Sequence, residues 1–281
     1  MENSLAVRLV PDDLWELVEP LLPRFETRQQ GGGTAPLEDR AVFTAVVSVL
    51  TVGCAWRHLP TEFGLSVPTA HRRFQAWTRA QAWTRAQAWT RAGMWPRLHR
   101  AILDAQGGAG HVDWSSVIVD AASLRANKGG SLTGPNPVDR GKAGSKIHVL
   151  TDEAGLPLVV AVSGANLHDS QALVPLVVSI PAIRSRRGPR RRRPDKLRAD
   201  KGYDYPDLRR FLRRRRITVR IARRGVDSSE RLGPYRWKIE RTIAWLDGYR
   251  RLTIRYERDG HNFLGFLCLA AAITCWKKLP T

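Results

Sequence analysis

Three acidic residues that are far apart in the sequence stand where two strands and a helix are predicted to converge. Asp120 ends the apolar run that starts at Val117, Asp200 ends the run that starts at Leu197, and Glu240 lies on a long helix further on. If the two strands are neighbours in a sheet, the aspartates lie side by side and the helix carries Glu240 over them. Three converging carboxylates in a basic protein require cations. Two Mg²⁺ ions, with Mn²⁺ as a substitute, would neutralise them and hold the attacking and leaving oxygens of a phosphoryl transfer.

The charge of the chain indicates a polyanionic partner. The 281 residues include 46 Lys and Arg against 26 Asp and Glu, a formal net charge of +20. Residues 1–110 are nearly neutral, whereas residues 184–224 carry 19 basic and four acidic side chains. Nucleic acid is the commonest partner of such a concentrated positive field. We expect its backbone phosphates to contact the arginines that precede the Asp200 strand, although a solvated surface is the alternative; these are Arg190, Arg191, Arg192 and Arg193.

Composition excludes several protein classes. Apolar residues make up 43% and charged residues 26%, which is ordinary for a globular protein and argues against collagen-like or disulfide-scaffold chains. The three cysteines form no C-x-x-C pair, and the chain start lacks the pattern of a signal peptide, so we expect a cytoplasmic protein. The most apolar stretch, Phe263–Trp276, is shorter than the roughly 20 residues that span a bilayer, and it predicts a core helix without membrane contact.

The N-terminal part of the chain is predicted to be helical. The helix candidates Leu37–Val52 and Val67–Trp77 flank a short segment that contains a glycine, an arrangement that resembles a helix-turn-helix. This geometry would place His71, Arg72 and Arg73 on the second helix, facing DNA. A small helical bundle with a solvated charged surface is the alternative.

One internal repeat interrupts this region. The hexapeptide QAWTRA occurs three times in tandem over residues 75–92. Six residues turn an ideal helix by about 600°, so the three tryptophans point about 120° apart and cannot form one buried stripe. We interpret two of the copies, twelve residues, as a tandem expansion.

The pattern changes from helix to strand after residues 107–112, which are a linker by composition. Helices are predicted between the third and fourth strands and between the fourth and fifth. This order is that of an RNase H-like α/β domain with a five-stranded mixed sheet, over residues 113–281, preceded by an all-α DNA-binding domain over residues 1–106. The predicted strands are Val117–Asp120, Lys146–Thr151, Leu158–Ser163, Leu197–Asp200 and Ile217–Ala222.

The chain resembles the DDE transposases of bacterial insertion sequences, in the IS5 group (IS4/IS5-type). The stretches that carry the resemblance are VIVDAASLRA, KAGSKIHVLTDEAGLPLVV followed by NLHDS, LRADKGYD, and RWKIERTIAWLDGYRRLTIRYER. The resemblance implies that Asp120, Asp200 and Glu240 are the catalytic metal ligands. It also implies a bacterial, nucleoid-associated protein that binds double-stranded DNA and forms a homodimer in the DNA complex. The implied reaction is Mg²⁺-dependent hydrolysis at element ends and transfer of the released 3′-OH into target DNA.

Further residues of the predicted site lie beside these three. Arg236 precedes Glu240 by four positions on one helical face, where it could hold a phosphate or form a salt bridge with Glu240. Arg241 and Lys201 complete the predicted DNA contacts. Asp169 follows the third strand, but a helix N-cap explains it equally well, so it stays outside the predicted catalytic set.

The leading interpretation is an insertion-sequence transposase. Two alternatives stay open at this point. One is a helix-turn-helix DNA-binding protein or an inactive transposase relic, and the other is a metal-dependent nuclease with the same RNase H-like fold.

Overall fold

A computed structural model describes residues 4–23, 38–79, 93–225 and 233–279. The α-helices within these ranges are α1 Ser4–Leu9, α2 Asp12–Val18, α3 Asp39–Val52, α4 Val67–Arg79, α5 Met94–Ala109, α6 Ser170–Ser179, α7 Pro206–Arg214, α8 Gly233–Asp247 and α9 Gly260–Trp276. The strands are β1 Val117–Arg125, β2 Gly134–Pro135, β3 Ala143–Asp152, β4 Pro157–Gly164, β5 Lys196–Ala199 and β6 Thr218–Ile221.

One mixed sheet has the strand order β2-β3-β1-β5-β6, with β4 also paired to β3. β3 is antiparallel to β1 and β4, whereas β1, β5 and β6 run parallel to one another. All five predicted strands form, and the α/β fold class is confirmed. The prediction of five strands is wrong in number, because the short β2 also pairs with β3 and makes six strands in the described residues. β1 is longer than predicted, because it continues pairing with β3 beyond Asp120 as far as Arg125. Asp120 therefore lies within a strand rather than at its end.

Helix α9 lies in the core, as its apolar composition predicts. Nearly every residue from Gly260 to Cys275 is buried, and the helix packs against α5 and β4. None of the helices in the described ranges combines the length and the apolar character needed to cross a membrane. The helix instead joins the N-terminal and C-terminal parts of the chain, since Phe266 stacks on Phe74 of α4 with ring centroids 4.3 Å apart.

The prediction that residues 107–112 form a linker is wrong for residues 107–109. Residues up to Ala109 belong to α5, and Gly110 ends that helix in the left-handed conformation. The buried Gln106 side chain donates a hydrogen bond of 2.7 Å to the Cys275 carbonyl of α9. A Cβ atom on Gly107 would lie 2.0 Å from the Arg184 carbonyl oxygen. The glycine thus permits close packing of two backbones and does not mark a flexible connection.

The repeat begins inside α4 and continues outside the described residues. Trp77 of the first copy is buried against Trp95, with ring centroids 6.0 Å apart, whereas residues 80–92 lie outside the described ranges. A Cβ atom on Gly93 would lie 2.5 Å from the Thr78 carbonyl oxygen, and Trp95 Nε1 donates to Thr78 Oγ1 over 2.9 Å. Residue 93 therefore lies directly beside residue 78. The tandem expansion stays a prediction.

Candidate active site

Asp120 and Asp200 lie next to each other on adjacent parallel strands. Ile118 of β1 pairs with Arg198 of β5, and each aspartate stands two residues beyond that pair on its own chain segment. Both aspartates line one small pocket, together with Arg236 of α8. Within the described residues, no strand pairs with β1 on this side from Asp120 onward, because β5 ends at Ala199. The pocket opens at that position.

The Asp120 carboxyl has an incompletely neutralised charge. Burial raises its pKa to about 6, and the negative charges of Asp200 and Asp169 act in the same direction. The Ala121 N–H, which donates to Asp120 Oδ1 over 2.8 Å, and the nearby Arg236 guanidinium lower the pKa. A raised pKa means that the described surroundings disfavour the carboxylate, so a cation placed beside it gains favourable electrostatic energy.

The Asp200 carboxylate is exposed and held by the turn that follows it. Asp200 is the N-cap of a 3₁₀ turn over Lys201–Tyr203, and its Oδ1 accepts the Gly202 N–H over 2.8 Å. A Cβ atom at position 202 would lie 2.9 Å from that oxygen, which explains the glycine in the sequence. One oxygen of Asp200 is fixed by the backbone, and the side chain faces solvent.

Glu240 is directed to Arg236 of its own helix. Arg236 Nε lies 2.7 Å from Glu240 Oε1, one helical turn apart, and both side chains are more than half exposed. Arg236 lines the pocket with the two aspartates, whereas Glu240 does not. The salt bridge that was one of the two expectations for Arg236 is therefore present. Within the described ranges, no group of three His, Cys, Asp or Glu side chains is arranged to hold a metal ion.

Two features of the site nevertheless fit a divalent cation. Carboxylate oxygens are the ligands that Mg²⁺ and Mn²⁺ prefer, and Asp120 is a half-buried carboxyl without full charge compensation. An exposed ion pair at i and i+4 is worth only about 0.3–0.5 kcal/mol, so Glu240 can leave Arg236 at small cost. The geometry therefore places two carboxyl groups side by side and a third on the adjacent helix.

Asp169 lies near this site, although the sequence favoured an N-cap role. It occupies the N-cap position of α6, but its side chain makes no capping hydrogen bond. Its Oδ1 instead lies 2.7 Å from Lys146 Nζ of β3, and its charge acts on Asp120 and on Tyr203. The Tyr203 ring is buried, and its hydroxyl finds no hydrogen-bond partner among the described residues. No sequence pattern indicated Tyr203 beyond its place three residues after Asp200.

The two other residues predicted to contact DNA near the carboxylates, Lys201 and Arg241, differ in exposure. Lys201 is exposed beside Asp200, as expected of a phosphate contact. Arg241 is partly buried, donates to the Ala154 carbonyl over 2.7 Å, and stacks between two tryptophan rings at 4.6 Å each, those of Trp237 and Trp245. Its guanidinium therefore serves the packing of α8 on the β3–β4 turn.

The arginines before β5 lie at the opposite end of that strand from Asp200. Asp195, which precedes β5, donates its N–H to the Trp114 carbonyl over 2.9 Å, at the start of β1. Three of the four arginines are engaged with protein acceptors within the described structure: Arg190 with Asp104, Arg191 with Asp195, and Arg192 with the Val178 carbonyl. Arg193 is exposed. Sequence proximity to Asp200 therefore does not bring this run beside the carboxylates.

Of the three residues predicted to face DNA on α4, only Arg72 is exposed. Arg73 forms an ion pair with Asp39 and stacks over the Trp77 ring at 5.5 Å, and His71 packs against Trp56. Helices α3 and α4 form as predicted. The connection over residues 53–66 contains two 3₁₀ turns, which makes it longer than the three or four residues typical of a helix-turn-helix.

Comparison with known protein families identifies the family of this chain. A family model described as "Transposase DDE domain" matches residues 115–275, the range that contains the whole sheet and all three predicted carboxylates. The chain belongs to the DDE transposases. A second model, described as "Putative transposase of IS4/5 family", matches residues 10–87 of this transposase. The resemblance found in the sequence is confirmed.

Relatives of the transposase come from one insertion element. The transposase assigned to insertion sequence element IS402 of Burkholderia cepacia is 47% identical over 147 residues, which cover 52% of this chain and 70% of the relative. An uncharacterised 16.2 kDa protein of the same element is 34% identical over 135 residues, 47% of this chain and 84% of the relative. The solved Mos1 strand transfer complex matches 91% of this chain and 83% of its own with a TM-score of 0.32 and 11% identity. A likeness that slight carries no conclusion about chemistry.

Proposed function

We propose that this chain is an insertion-sequence transposase that cleaves DNA at the ends of its element and joins the released 3′-OH to target DNA, with Asp120, Asp200 and Glu240 as ligands of two Mg²⁺ ions. The observation that carries the proposal is the adjacency of Asp120 on β1 and Asp200 directly after the parallel strand β5, in a pocket where Asp120 is half-buried without full charge compensation. Mn²⁺ has the same preference for carboxylate oxygens and is expected to replace Mg²⁺.

The protein side of the reaction follows from the placement of these residues. Asp120 and Asp200 hold their carboxylates within reach of a shared cation, and Glu240 joins them by leaving Arg236. Divalent cations supply activation of the attacking oxygen and charge stabilisation at the phosphate. Once Glu240 has turned, the Arg236 guanidinium is free to bind a phosphate oxygen beside the two aspartates. No side-chain nucleophile is required.

The DNA partner is supported by charge and exposure. The net charge of +20 favours association with a polyanion, and Lys201 offers an exposed ammonium directly beside Asp200. Arg72 offers an exposed guanidinium on α4. Joining two element ends requires two active sites, and we therefore propose a homodimer on DNA.

Labelled duplexes that carry the element ends test this function. With Mg²⁺ or Mn²⁺, the protein is expected to nick these ends and to form joined products, and Asp120→Asn is expected to abolish both while the duplex still binds. Cleavage without joining would identify a nuclease instead. Binding without cleavage in either metal would identify a relic or a DNA-binding protein, and products that persist in Asp120→Asn would remove Asp120 from the site.

A further inference from the structure

The loop between α6 and β5 lines an open cavity that the catalytic site does not use. A space of about 420 Å³ lies between this loop and the end of α5, with Trp114 in its wall. Five arginines of the loop are among the residues that line it, and we call them the arginine cradle: Arg184, Arg186, Arg187, Arg190 and Arg191.

The cradle is held in place by its backbone. Ile183 and Arg191 exchange two backbone hydrogen bonds of 2.8 Å each, which close the loop at its base. Ser185 Oγ donates to the Pro189 carbonyl over 2.9 Å across the loop. The base also packs closely on α5, at the point where Gly107 meets the Arg184 carbonyl. A ligand that enters this cavity meets a preorganised loop, so binding costs little conformational entropy.

The positive charge of the cradle exceeds its compensation. Asp104 pairs with Arg190 at 2.7 Å and Asp195 pairs with Arg191 at 2.6 Å. In the part of the chain that the structure describes, no carboxylate pairs with the other three arginines, so five arginines against two aspartates leave a charge of +3. Guanidinium groups match phosphate oxygens in shape and charge, and their donors bind two oxygens at once.

The position of the cradle separates it from the catalytic carboxylates. It lies before β5, and Asp200 follows the C-terminal end of that strand. From Asp195 to Asp200 the chain advances about 16 Å at the rise of a β-strand. A phosphate bound in the cradle therefore cannot be the phosphate that reacts beside Asp120 and Asp200.

We infer that the arginine cradle binds a backbone phosphate of DNA at a position other than the scissile one. This inference rests on the proposed function, which supplies two DNA segments that the cradle could bind. One is the element end outside the cleavage point, and the other is the target duplex. We assign the phosphate contact to Arg186 and Arg187. Both side chains are exposed, and neither has a carboxylate partner within the described ranges.

The test compares the salt dependence of duplex binding in two charge-matched variants. Arg186→Glu/Arg187→Glu is expected to reduce the slope of log K against log salt by about two units, one for each lost phosphate contact, in fluorescence anisotropy with a labelled duplex of arbitrary sequence. Lys277→Glu/Lys278→Glu changes the formal charge equally at the end of α9 and is expected to leave the slope close to that of the wild type. An equal effect of both variants, or an unchanged slope in the cradle variant, would overturn the inference.

Cleavage and joining assays with the cradle variant distinguish the two sources of DNA. Retained cleavage with lost joining assigns the cradle to target DNA, and parallel loss of both assigns it to the element end. The proposed function is judged separately, from cleavage by the wild type and by Asp120→Asn. A wild-type protein that does not cleave would contradict the proposed function. The salt slopes would still show whether the cradle binds a DNA phosphate.

Discussion

The Arg236 guanidinium stands between the pocket of the two aspartates and Glu240, which it holds 2.7 Å away on the same face of α8. A cation that enters the pocket must compete with this guanidinium for Glu240 and is also repelled by it. The ion pair is exposed and weak, so the competition can be won by a divalent ion. Arg236 thus keeps Glu240 close to the site while leaving it free to turn.

Replacing Arg236 is expected to separate cation binding from catalysis. Arg236→Gln removes a positive charge beside Asp120, and we expect it to tighten Mn²⁺ binding on the order of fivefold, which corresponds to about 1 kcal/mol. DNA cleavage is expected to fall, because the phosphate contact is lost. Electron paramagnetic resonance of free Mn²⁺ measures the affinity. Glu240→Gln is the matched control on the same helix, and it is expected to weaken Mn²⁺ binding. Weaker binding in Arg236→Gln would show that the arginine supports the cation site instead.

The raised pKa of Asp120 predicts a pH dependence of stability in the metal-free protein. The pKa is about 6 when folded and 3.8 in the reference state, so the folded state holds the proton more tightly. This contribution is fully present below about pH 4 and is lost as the pH rises through 6, an effect of roughly 2–3 kcal/mol. Asp152, whose burial also raises its pKa to about 6, contributes in the same direction.

Comparison of urea unfolding between pH 4 and pH 7 isolates the Asp120 contribution. Relative to the wild type, Asp120→Asn is expected to gain stability from pH 4 to pH 7, because the Asp120 contribution is absent. The contribution of Asp152 and the opposing contributions of His99 and His148, whose pKa values burial lowers to about 4, are common to both proteins. Added Mn²⁺ is expected to restore wild-type stability at pH 7 and to have no such effect on the variant. Identical pH profiles for the two proteins would mean that Asp120 is solvated.

The Tyr203 hydroxyl is expected to reduce the stability of the free protein. It is buried without a hydrogen-bond partner among the described residues, and such a group costs about 1–3 kcal/mol. Tyr203→Phe should therefore raise the free energy of unfolding by about 1 kcal/mol, as measured by denaturant titration. Tyr205→Phe is a suitable control, since Tyr205 is less buried. A loss of stability in Tyr203→Phe would reveal a partner for the hydroxyl.

Arg255, the first arginine of the RYER run, is expected to have a structural role. The buried Arg255 guanidinium uses its donors on five acceptors, among them the Ser145 hydroxyl at 2.6 Å and the Leu132 carbonyl at 3.0 Å. Arg255→Lys would leave buried acceptors unpaired and should lower the free energy of unfolding by about 3 kcal/mol or more. Arg258→Lys, at an exposed position in the same run, should change it by less than about 0.5 kcal/mol. Equal effects would contradict the role of burial.

Deletion of twelve residues tests the tandem expansion. Removing residues 75–86 gives the same sequence as removing 81–92, and in that protein Thr78 and Gly93 become three positions apart. A single turn closes such a separation, and the two residues already lie side by side. We expect the shortened protein to keep the melting temperature and the DNA affinity of the full chain. A marked fall in either would make the repeat an integral element.

The strands and the neighbouring aspartates were accessible from the sequence because they depend on local patterns. Apolar β-branched runs such as Val117–Val119 form strands wherever they can be buried, and the order of elements leaves few sheet topologies. Asp120 and Asp200 follow such runs at matching positions, so their adjacency required no knowledge of side-chain packing. The buried character of α9 was accessible for the same reason.

Contacts between distant segments decided the rest, since no local pattern encodes them. The glycines of residues 107–110 had the composition of a linker, but the approach of the Arg184 backbone made them part of a packed helix. Asp169 occupies the N-cap position of α6, but its carboxylate pairs with Lys146 of β3 and makes no capping hydrogen bond. The arginine run is adjacent to Asp200 in the chain, yet the length of β5 carries it to the opposite end of the sheet. Sequence thus determined which elements form and which residues they carry, whereas tertiary packing determined which charges meet, because charge pairing depends on distances that only the folded chain establishes.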